Sequence, residues 1–191
     1  ELIPEALTFA RNVRNISGQH VRTGGLGSIY QGVLFPPYHL IDVPVLELNT
    51  HYWLYMGLTN AAAIEGGVHT DVTRSAGAVP YTGTVDDKWS STILQGIPIL
   101  TNNVDIPQMW TPPGPGTNLA NLLNWPSDMR ARIIRSFKSF LMAFSVTEDI
   151  NVFPTMIRWS TPADPGGVPG SWDYTLASNE AGRTVLAEAG G

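Results

Sequence analysis

Three short apolar runs recur along the chain at a nearly constant spacing, and this repeat limits the folds that are open to it. The runs contain Trp53, Ile97 and Phe140, which stand 44 and 43 residues apart. Polar turns follow the three runs, at residues 59–60, 101–103 and 147–149. Asn and Asp suit such turns because they tolerate left-handed backbone geometry. The pattern therefore predicts strands that end in tight turns.

After the second and third turns the chain resumes with a proline and closes on a tryptophan, in residues 106–110 and 153–159. The repeated unit is therefore strand, polar turn, proline, strand and tryptophan. A period of 40 to 50 residues with this hairpin pattern is typical of β-propeller blades, each a small sheet that cannot bury both faces alone. We predict an all-β, β-propeller-like repeat with an incomplete set of blades, since 191 residues hold only about four units.

The expected organisation is one propeller-like domain, or part of one, over residues 1–191. Residues 1–44 are assigned to a lead-in and the first strands, and residues 45–110, 111–160 and 161–191 to blade-like segments. An open set of blades leaves strand edges bare. Either further blades or neighbouring subunits are expected to cover those edges.

Composition supports short strands and excludes several classes of function. The chain has 19 glycines and 15 prolines, 14% charged residues and no cysteine, so it forms neither disulfides nor thiolate metal sites. A net charge of −5 argues against a surface that grips nucleic acid by neutralising phosphates. The longest apolar runs are far shorter than the roughly 20 residues of a membrane-spanning helix.

Three segments do not fit the strand repeat and predict other local structures. Residues 127–135 predict a short helix, because Ser127 is a candidate N-cap, Asp128 lies in the first turn and basic residues follow. The Pro/Gly stretch 111–117 predicts a long surface loop. The glycine-rich stretch 24–32 resembles a phosphate-binding loop but lacks the lysine and the helix pattern, so a flexible turn is expected.

No set of residues predicts a catalytic, cofactor or metal site. The four histidines, His20, His39, His51 and His69, lack metal-ligand spacing. His69 and Asp71 could form an acid/base pair, but Asp71 and Thr73 are expected to serve a turn. The turns 102–105 and 148–151 offer oxygen ligands without the full calcium-loop pattern. Sequence alone brings together no pair of the carboxylates a glycosidase needs: Asp86, Asp87, Asp164 and Asp173.

Residues 159–173 are the most distinctive stretch. They are similar to a lengthened Asp-box turn of sialidase-type propellers, in which Ser, Asp, Gly and Trp fix a hairpin. The spacing departs from that pattern, with three residues between Ser160 and Asp164 and five between Gly166 and Trp172. That turn is structural in its family, so the likeness implies no active site.

A wider resemblance covers roughly residues 11 to 188. The sequence resembles the tail nozzle, or tail hub, proteins of short-tailed bacteriophages in the segments 69–74, 81–84, 89–96, 100–102, 107–110, 134–141, 156–160 and 163–166. The resemblance implies a virion protein with a propeller domain that forms a ring of six subunits below the portal and its adaptor. The genome would leave through the bore without specific binding, and no catalytic residue or cofactor is implied. Such a protein is made in the host cytoplasm and ends in the phage tail.

Two other functions remain open. A carbohydrate-binding or glycan-cleaving propeller is suggested by six tryptophans and the Asp-box-like stretch. A monomeric propeller scaffold that binds peptides is the third possibility. For an assembly protein the interfaces carry the function, and Tyr38, Trp89 and Trp125 are candidate interface aromatics, although core or turn packing is the expected role of each.

Overall fold

The computed structural model of the chain describes residues 13–16, 19–22, 32–45, 49–74 and 80–186. Two compact units divide the chain, residues 1–32 and residues 33–191. In the first, strands β1 (Val13–Ile16) and β2 (Gln19–Arg22) form an antiparallel hairpin. The glycine-rich stretch 24–32 lies outside the described residues except for its last residue.

The second unit contains three four-stranded antiparallel sheets, each made of consecutive strands. Sheet 1 consists of β3 (His39–Val45), β4 (Thr50–Met56), β5 (Ala61–Glu65) and β6 (Val68–Asp71). Sheet 2 consists of β7 (Ser90–Leu94), β8 (Ile97–Thr101), β9 (Gln108–Met109) and β10 (Ala120–Asn121). Sheet 3 consists of β11 (Met129–Phe137), β12 (Phe140–Glu148), β13 (Asn151–Trp159) and β14 (Gly182–Val185). The described residues contain no α-helix, so the all-β prediction is confirmed.

The repeat in the sequence corresponds to these three sheets. Each apolar run lies in the second strand of a sheet. Of the two proline-to-tryptophan segments, 106–110 contains the third strand β9, and 153–159 forms most of the third strand β13. Several hairpin turns use the left-handed backbone region, at Gln95, Asn103, Lys138 and Asp149. The segments predicted at 45–110, 111–160 and 161–191 cross the sheets, since the first of them contains strands of both sheet 1 and sheet 2.

The strand register shows that the residues matched by spacing in the sequence are not all structural equivalents, because the first of them is off by one residue. Tyr52 and Leu54 belong to the core that sheet 1 shares with sheet 2, whereas Trp53 is half-buried and alternates with them. Ile97 and Ile99 take the matching positions in sheet 2, where they pack toward sheet 3. Because side chains alternate between the faces of a strand, the counterpart of Ile97 is Tyr52 rather than Trp53.

Two cores lie between the sheets. The core between sheets 1 and 2 includes Leu54, Met56, Leu100 and Trp110, all fully buried. The core between sheets 2 and 3 includes Ile99, Ile134, Leu141, Trp125 and Trp172. The rings of Trp125 and Trp172 meet edge to face with centroids 4.6 Å apart. Sheet 2 thus buries both faces, and sheets 1 and 3 each bury one face against it.

The helix predicted over residues 127–135 is wrong, because residues 129–137 form strand β11. Met129 and Ala131 alternate into the core, and β11 pairs along its length with β12. The cap-like residues Ser127 and Asp128 instead belong to the turn that precedes the strand, where the Asp128 carbonyl accepts a hydrogen bond from the Asp149 N–H. Pairing with β12 and burial in the core thus override a local helix signal. The predicted loop at residues 111–117 is confirmed between β9 and β10.

Candidate assembly surfaces

The three sheets meet through their first strands by a contact that occurs twice. His39 Nε2 of β3 lies 2.7 Å from Ser91 Oγ of β7. At the next junction, Ser90 Oγ of β7 accepts a hydrogen bond from the Ile134 N–H of β11 at 3.3 Å. Beside it, the Thr92 and Ser136 hydroxyl oxygens lie 2.9 Å apart. One sheet-to-sheet interface is therefore used twice within the chain.

Cross-strand pairs show which residues are equivalent between sheets. The pairs His39–Met56, Ser90–Thr101 and Ile133–Phe144 occupy the same place in sheets 1, 2 and 3. The pairs Val43–Tyr52, Leu94–Ile97 and Phe137–Phe140 occupy a second common place. With these equivalences, each face of an outer sheet can be compared with the corresponding face of sheet 2.

The outward face of sheet 3, which points away from sheet 2, is apolar, and no described segment covers it. We define it by Ile133, Phe137, Phe140, Met142 and Phe144. Ile133 is 40% exposed and Phe137 58% exposed, and the other three are half-buried. The sheet-2 counterpart of Phe137 is Leu94, which is only 1% exposed because sheet 3 covers it. The outward face of sheet 3 therefore carries apolar side chains like those that sheet 2 buries against sheet 3, but here they are exposed.

The outward face of sheet 1 lies at the other end of the set. There Val33, Tyr38, Leu40, Tyr55 and Ile64 line much of a groove of about 410 Å³. Leu40 is 55% exposed and Tyr38 52% exposed. We call this groove, with the neighbouring Asp42 and Trp53 of β3 and β4, the outward face of sheet 1.

Segment 33–38 covers part of that face. The ring of Phe35 lies 5.0 Å from that of Tyr55, and the Leu34 N–H donates to the Tyr55 hydroxyl at 3.1 Å. The same hydroxyl lies 3.0 Å from His69 Nδ1, which places His69 against Tyr55. This segment stops short of Leu40, which is 55% exposed, so the described residues leave an apolar groove open.

A polar pocket of about 490 Å³ lies beside sheet 3, lined in part by Glu148, Arg158, Trp172, Asp173 and Tyr174. The Arg158 side chain is 7% exposed and forms an ion pair of 2.6 Å with Glu148. Arg158 also donates to the Trp172 carbonyl, and its guanidinium lies 5.0 Å from the centre of the Tyr174 ring. The guanidinium of Arg158 is thus engaged by partners within the protein.

The carboxylates around this pocket also have partners within the protein. Glu148 forms a second ion pair with Arg183 at 3.3 Å. Hydrogen bonds from Thr175 lower the pKa of Asp173, so this carboxyl remains an ionised acceptor rather than a proton donor. Within the described ranges, no group of three or more His, Cys, Asp or Glu residues could hold a metal ion.

His69 and Asp71 do not form an acid/base pair. Asp71 Oδ1 accepts a hydrogen bond from the Thr73 N–H at 2.8 Å, as predicted for a turn. The Thr73 side chain is buried and bonds to the backbone of Ala61.

Of the remaining carboxylates named from the sequence, one forms local hydrogen bonds and two are exposed to solvent. Asp87 accepts hydrogen bonds from the backbone and hydroxyl of Thr84, while Asp86 is exposed. Asp164 is exposed and does not line the polar pocket that contains Asp173.

Asp105, in the acidic turn 102–105, joins three segments. It accepts hydrogen bonds from Arg74 Nη2 at 2.9 Å, the Thr82 N–H at 3.0 Å and Asn102 Nδ2 at 2.9 Å. Burial alone would raise its pKa, but these hydrogen bonds and the charge of Arg74 lower it overall. The oxygens that a calcium ion would need are therefore already engaged.

Two of the three candidate interface aromatics pack inside the protein, as expected from the sequence. Trp89 is 8% exposed and donates from Nε1 to the Gly57 carbonyl at 3.0 Å. Trp125 is 7% exposed and donates to the Met129 carbonyl at 2.8 Å. Tyr38 lies instead on the outward face of sheet 1. Sequence reasoning missed Leu40, Ile133 and Phe137, because only the strand register shows that their counterparts are buried.

No protein-family model matches the chain, and a search of curated proteins finds no significant match. In the part of the chain that the structure describes, no helix has the length and apolarity to cross a membrane.

Proposed function

We propose that this chain is a structural assembly protein, a virion component that forms the ring-shaped nozzle or hub of a short phage tail. The observation that carries the proposal is the set of three matching sheets whose two end faces are apolar and open. Matching sheets with open ends favour a molecule that is completed by further sheets of the same kind. The sequence resemblance to tail nozzle proteins supplies the identity of the assembly.

A propeller-like arrangement fits the way in which the sheets meet. Every sheet is a four-stranded meander, and the contacts between sheets join β3 to β7 and β7 to β11. Propellers contain four to eight such blades around a central channel, with the first strand of each blade near the axis. Three described sheets fall below that number, so a closed ring needs more of them.

Charge is compatible with a conduit for DNA. The net charge of −5 provides no large excess of Lys and Arg to hold phosphates. A wall that attracted phosphates would slow the genome that must pass it. The proposed partners are other copies in a ring of six, the portal with its adaptor and other tail proteins.

The role we propose is not enzymatic. In the polar pocket, Arg158 is paired with Glu148, and Asp173 is held ionised by Thr175. Groups held in this way stabilise the loop 160–181 that joins β13 to β14, which accounts for the pocket without a reaction.

A carbohydrate-binding propeller is the second candidate, and the polar pocket is the observation that favours it. Carboxylates accept hydrogen bonds from sugar hydroxyls, and Tyr174 is 37% exposed at the rim. The Asp-box-like stretch also contributes Gly170, Ser171 and Trp172 to the lining.

Electron microscopy of the purified protein separates the two candidates. The nozzle proposal predicts ring-shaped particles with a central opening, together with no release of sugar from glycan arrays or polymers. Single compact particles that bind or cleave glycans would contradict it. In that case Asp173→Asn, in the polar pocket, should weaken glycan binding, and Asp86→Asn, on an exposed loop, should not.

A further inference from the structure

The two open faces of the chain match each other position by position. Sheet 2 contacts both neighbours, so its two junctions show which residues meet when sheets of this kind pack together. At the junction of sheets 2 and 3, Ser90 contacts Ile134 and Thr92 contacts Ser136. The same positions on the outward faces are Ile133 and Arg135 of sheet 3, and Leu40 and Asp42 of sheet 1.

If the contacts between sheets 2 and 3 are applied to the outward faces of two copies, two complementary residue pairs result. Ile133 of one copy would meet Leu40 of a second copy, and these apolar side chains are 40% and 55% exposed. Arg135 of one copy would meet Asp42 of the second, which pairs a cation with an anion. Both derived pairs are therefore complementary in chemistry.

The strand positions of Arg135 and Asp42 are those that the second pair requires. Arg135 is exposed, and its Nη1 donates to Ser90 Oγ at 2.9 Å and to the Ser91 carbonyl at 3.1 Å, so its side chain must leave these sheet-2 partners to reach Asp42 of a second copy. Asp42 is exposed, and its Oδ1 lies 3.7 Å from Nδ1 of His51, which is also exposed. Both groups can thus be reached by another molecule.

We propose that the outward face of sheet 3 binds the outward face of sheet 1 of a second copy of this chain, head to tail. This inference rests on the proposed assembly function and names its interface. Because the two faces differ, the contact is heterologous, and it closes into a ring when the rotation per copy permits. The interface uses the same residue positions that join sheets 2 and 3 within each copy, and the rotation between copies sets how many copies close the ring.

Two variants that each block one face test the proposal. Leu40→Arg places a cation on the face of sheet 1, and Phe137→Arg places a cation on the face of sheet 3, so the two blocked faces repel each other. Both positions are more than half exposed, so the fold is expected to tolerate the changes. Circular dichroism and thermal unfolding check that each variant is folded before association is measured.

Sedimentation velocity from about 1 µM to about 1 mM covers weak to moderate association. The wild type should associate as its concentration rises, and each variant alone should remain monomeric. An equimolar mixture of the two variants should form one-to-one dimers and nothing larger, because only one pair of intact faces remains. A wild type that stays monomeric throughout, or a mixture that does not form dimers, would overturn the proposal.

A charge variant tests the second pair separately. Asp42→Lys should raise the apparent dissociation constant at least about tenfold, because it places a cation opposite Arg135. Asp86→Lys makes the same charge change on an exposed loop and should leave association unchanged. Equal effects of the two variants would contradict the predicted pair. Copies that associate through these faces without forming rings would refute the nozzle function while leaving the interface proposal intact.

Discussion

Arg158 and Glu148 form a short ion pair of 2.6 Å that joins strands β13 and β12 behind the loop 160–181. Arg158 is nearly buried, and its other terminal nitrogen donates to the Trp172 carbonyl. The ion pair therefore connects the third strand of sheet 3 with the loop that leads to the fourth. Its position makes Glu148 a residue on which the stability of sheet 3 depends.

Glu148→Ala should lower the free energy of unfolding by about 3 kcal/mol, since removing one partner of a buried pair leaves the other charge uncompensated. Chemical denaturation measures the change. Asp164→Ala, at an exposed position, serves as the control and should change stability by no more than about 0.5 kcal/mol. Equal and small effects of the two substitutions would show that the ion pair contributes little.

Trp89→Phe should destabilise the protein by about 1–3 kcal/mol, because it leaves the Gly57 carbonyl without its hydrogen bond from the indole. The ring also packs edge to face against Tyr81 at 5.1 Å, a contact that Phe retains in part. Tyr38→Phe is the matched control, since Tyr38 is 52% exposed, and it should be nearly neutral. A neutral Trp89→Phe would show that the indole hydrogen bond to Gly57 contributes little to stability.

Gly182→Ala should weaken the pairing of β14 with β13. A Cβ at residue 182 would overlap the indole ring of Trp159, its cross-strand partner. Overpacking of this kind costs about 1–3 kcal/mol. Gly114→Ala, where a Cβ would meet nothing within 4 Å, provides the control. Hydrogen exchange of β14 amides should accelerate in the first variant alone.

Acid should destabilise the protein in part through Asp105, whose pKa is lowered in the folded state. A lowered folded pKa contributes stability that is present above the unfolded value of about 4 and is lost as the pH falls through the folded value. Asp105→Asn removes this contribution. Unfolding curves from neutral to acid pH should therefore show a large stability difference from wild type at neutral pH and a smaller one in acid. A difference independent of pH would contradict the role of its ionised form.

The repeat was predictable because the second strand of each sheet contains a similar apolar run. Hairpin turns were predictable as well, since Asn103 and Asp149 adopt the left-handed conformation that their residue types favour. Strand β11 was not predictable from local signals. Ser127 and Asp128 look like a helix start, and only pairing with β12 makes the segment extended.

The open faces were beyond sequence reasoning for a different physical reason. Leu40 and Ile133 are ordinary strand residues, and neither differs from a core residue in type. Their importance follows from register, because a shift of one residue would send both side chains to the opposite face. The sequence spacing pairs Ile97 with Trp53, although its structural counterpart is Tyr52. Matching by spacing alone therefore compares residues on opposite faces of their sheets.

Disulfide cross-linking of Leu40→Cys/Ile133→Cys tests most directly whether the end faces join copies. The natural chain has no cysteine, so a bond can form only between the two introduced thiols. These positions lie on opposite end faces, with sheet 2 between sheets 1 and 3. Under mild oxidation the account predicts a ladder of covalently linked copies, whereas each single variant should give at most a dimer. A double variant that remains monomeric would contradict head-to-tail assembly, and one that stops at a dimer would contradict the ring of six while leaving the contact between the faces intact.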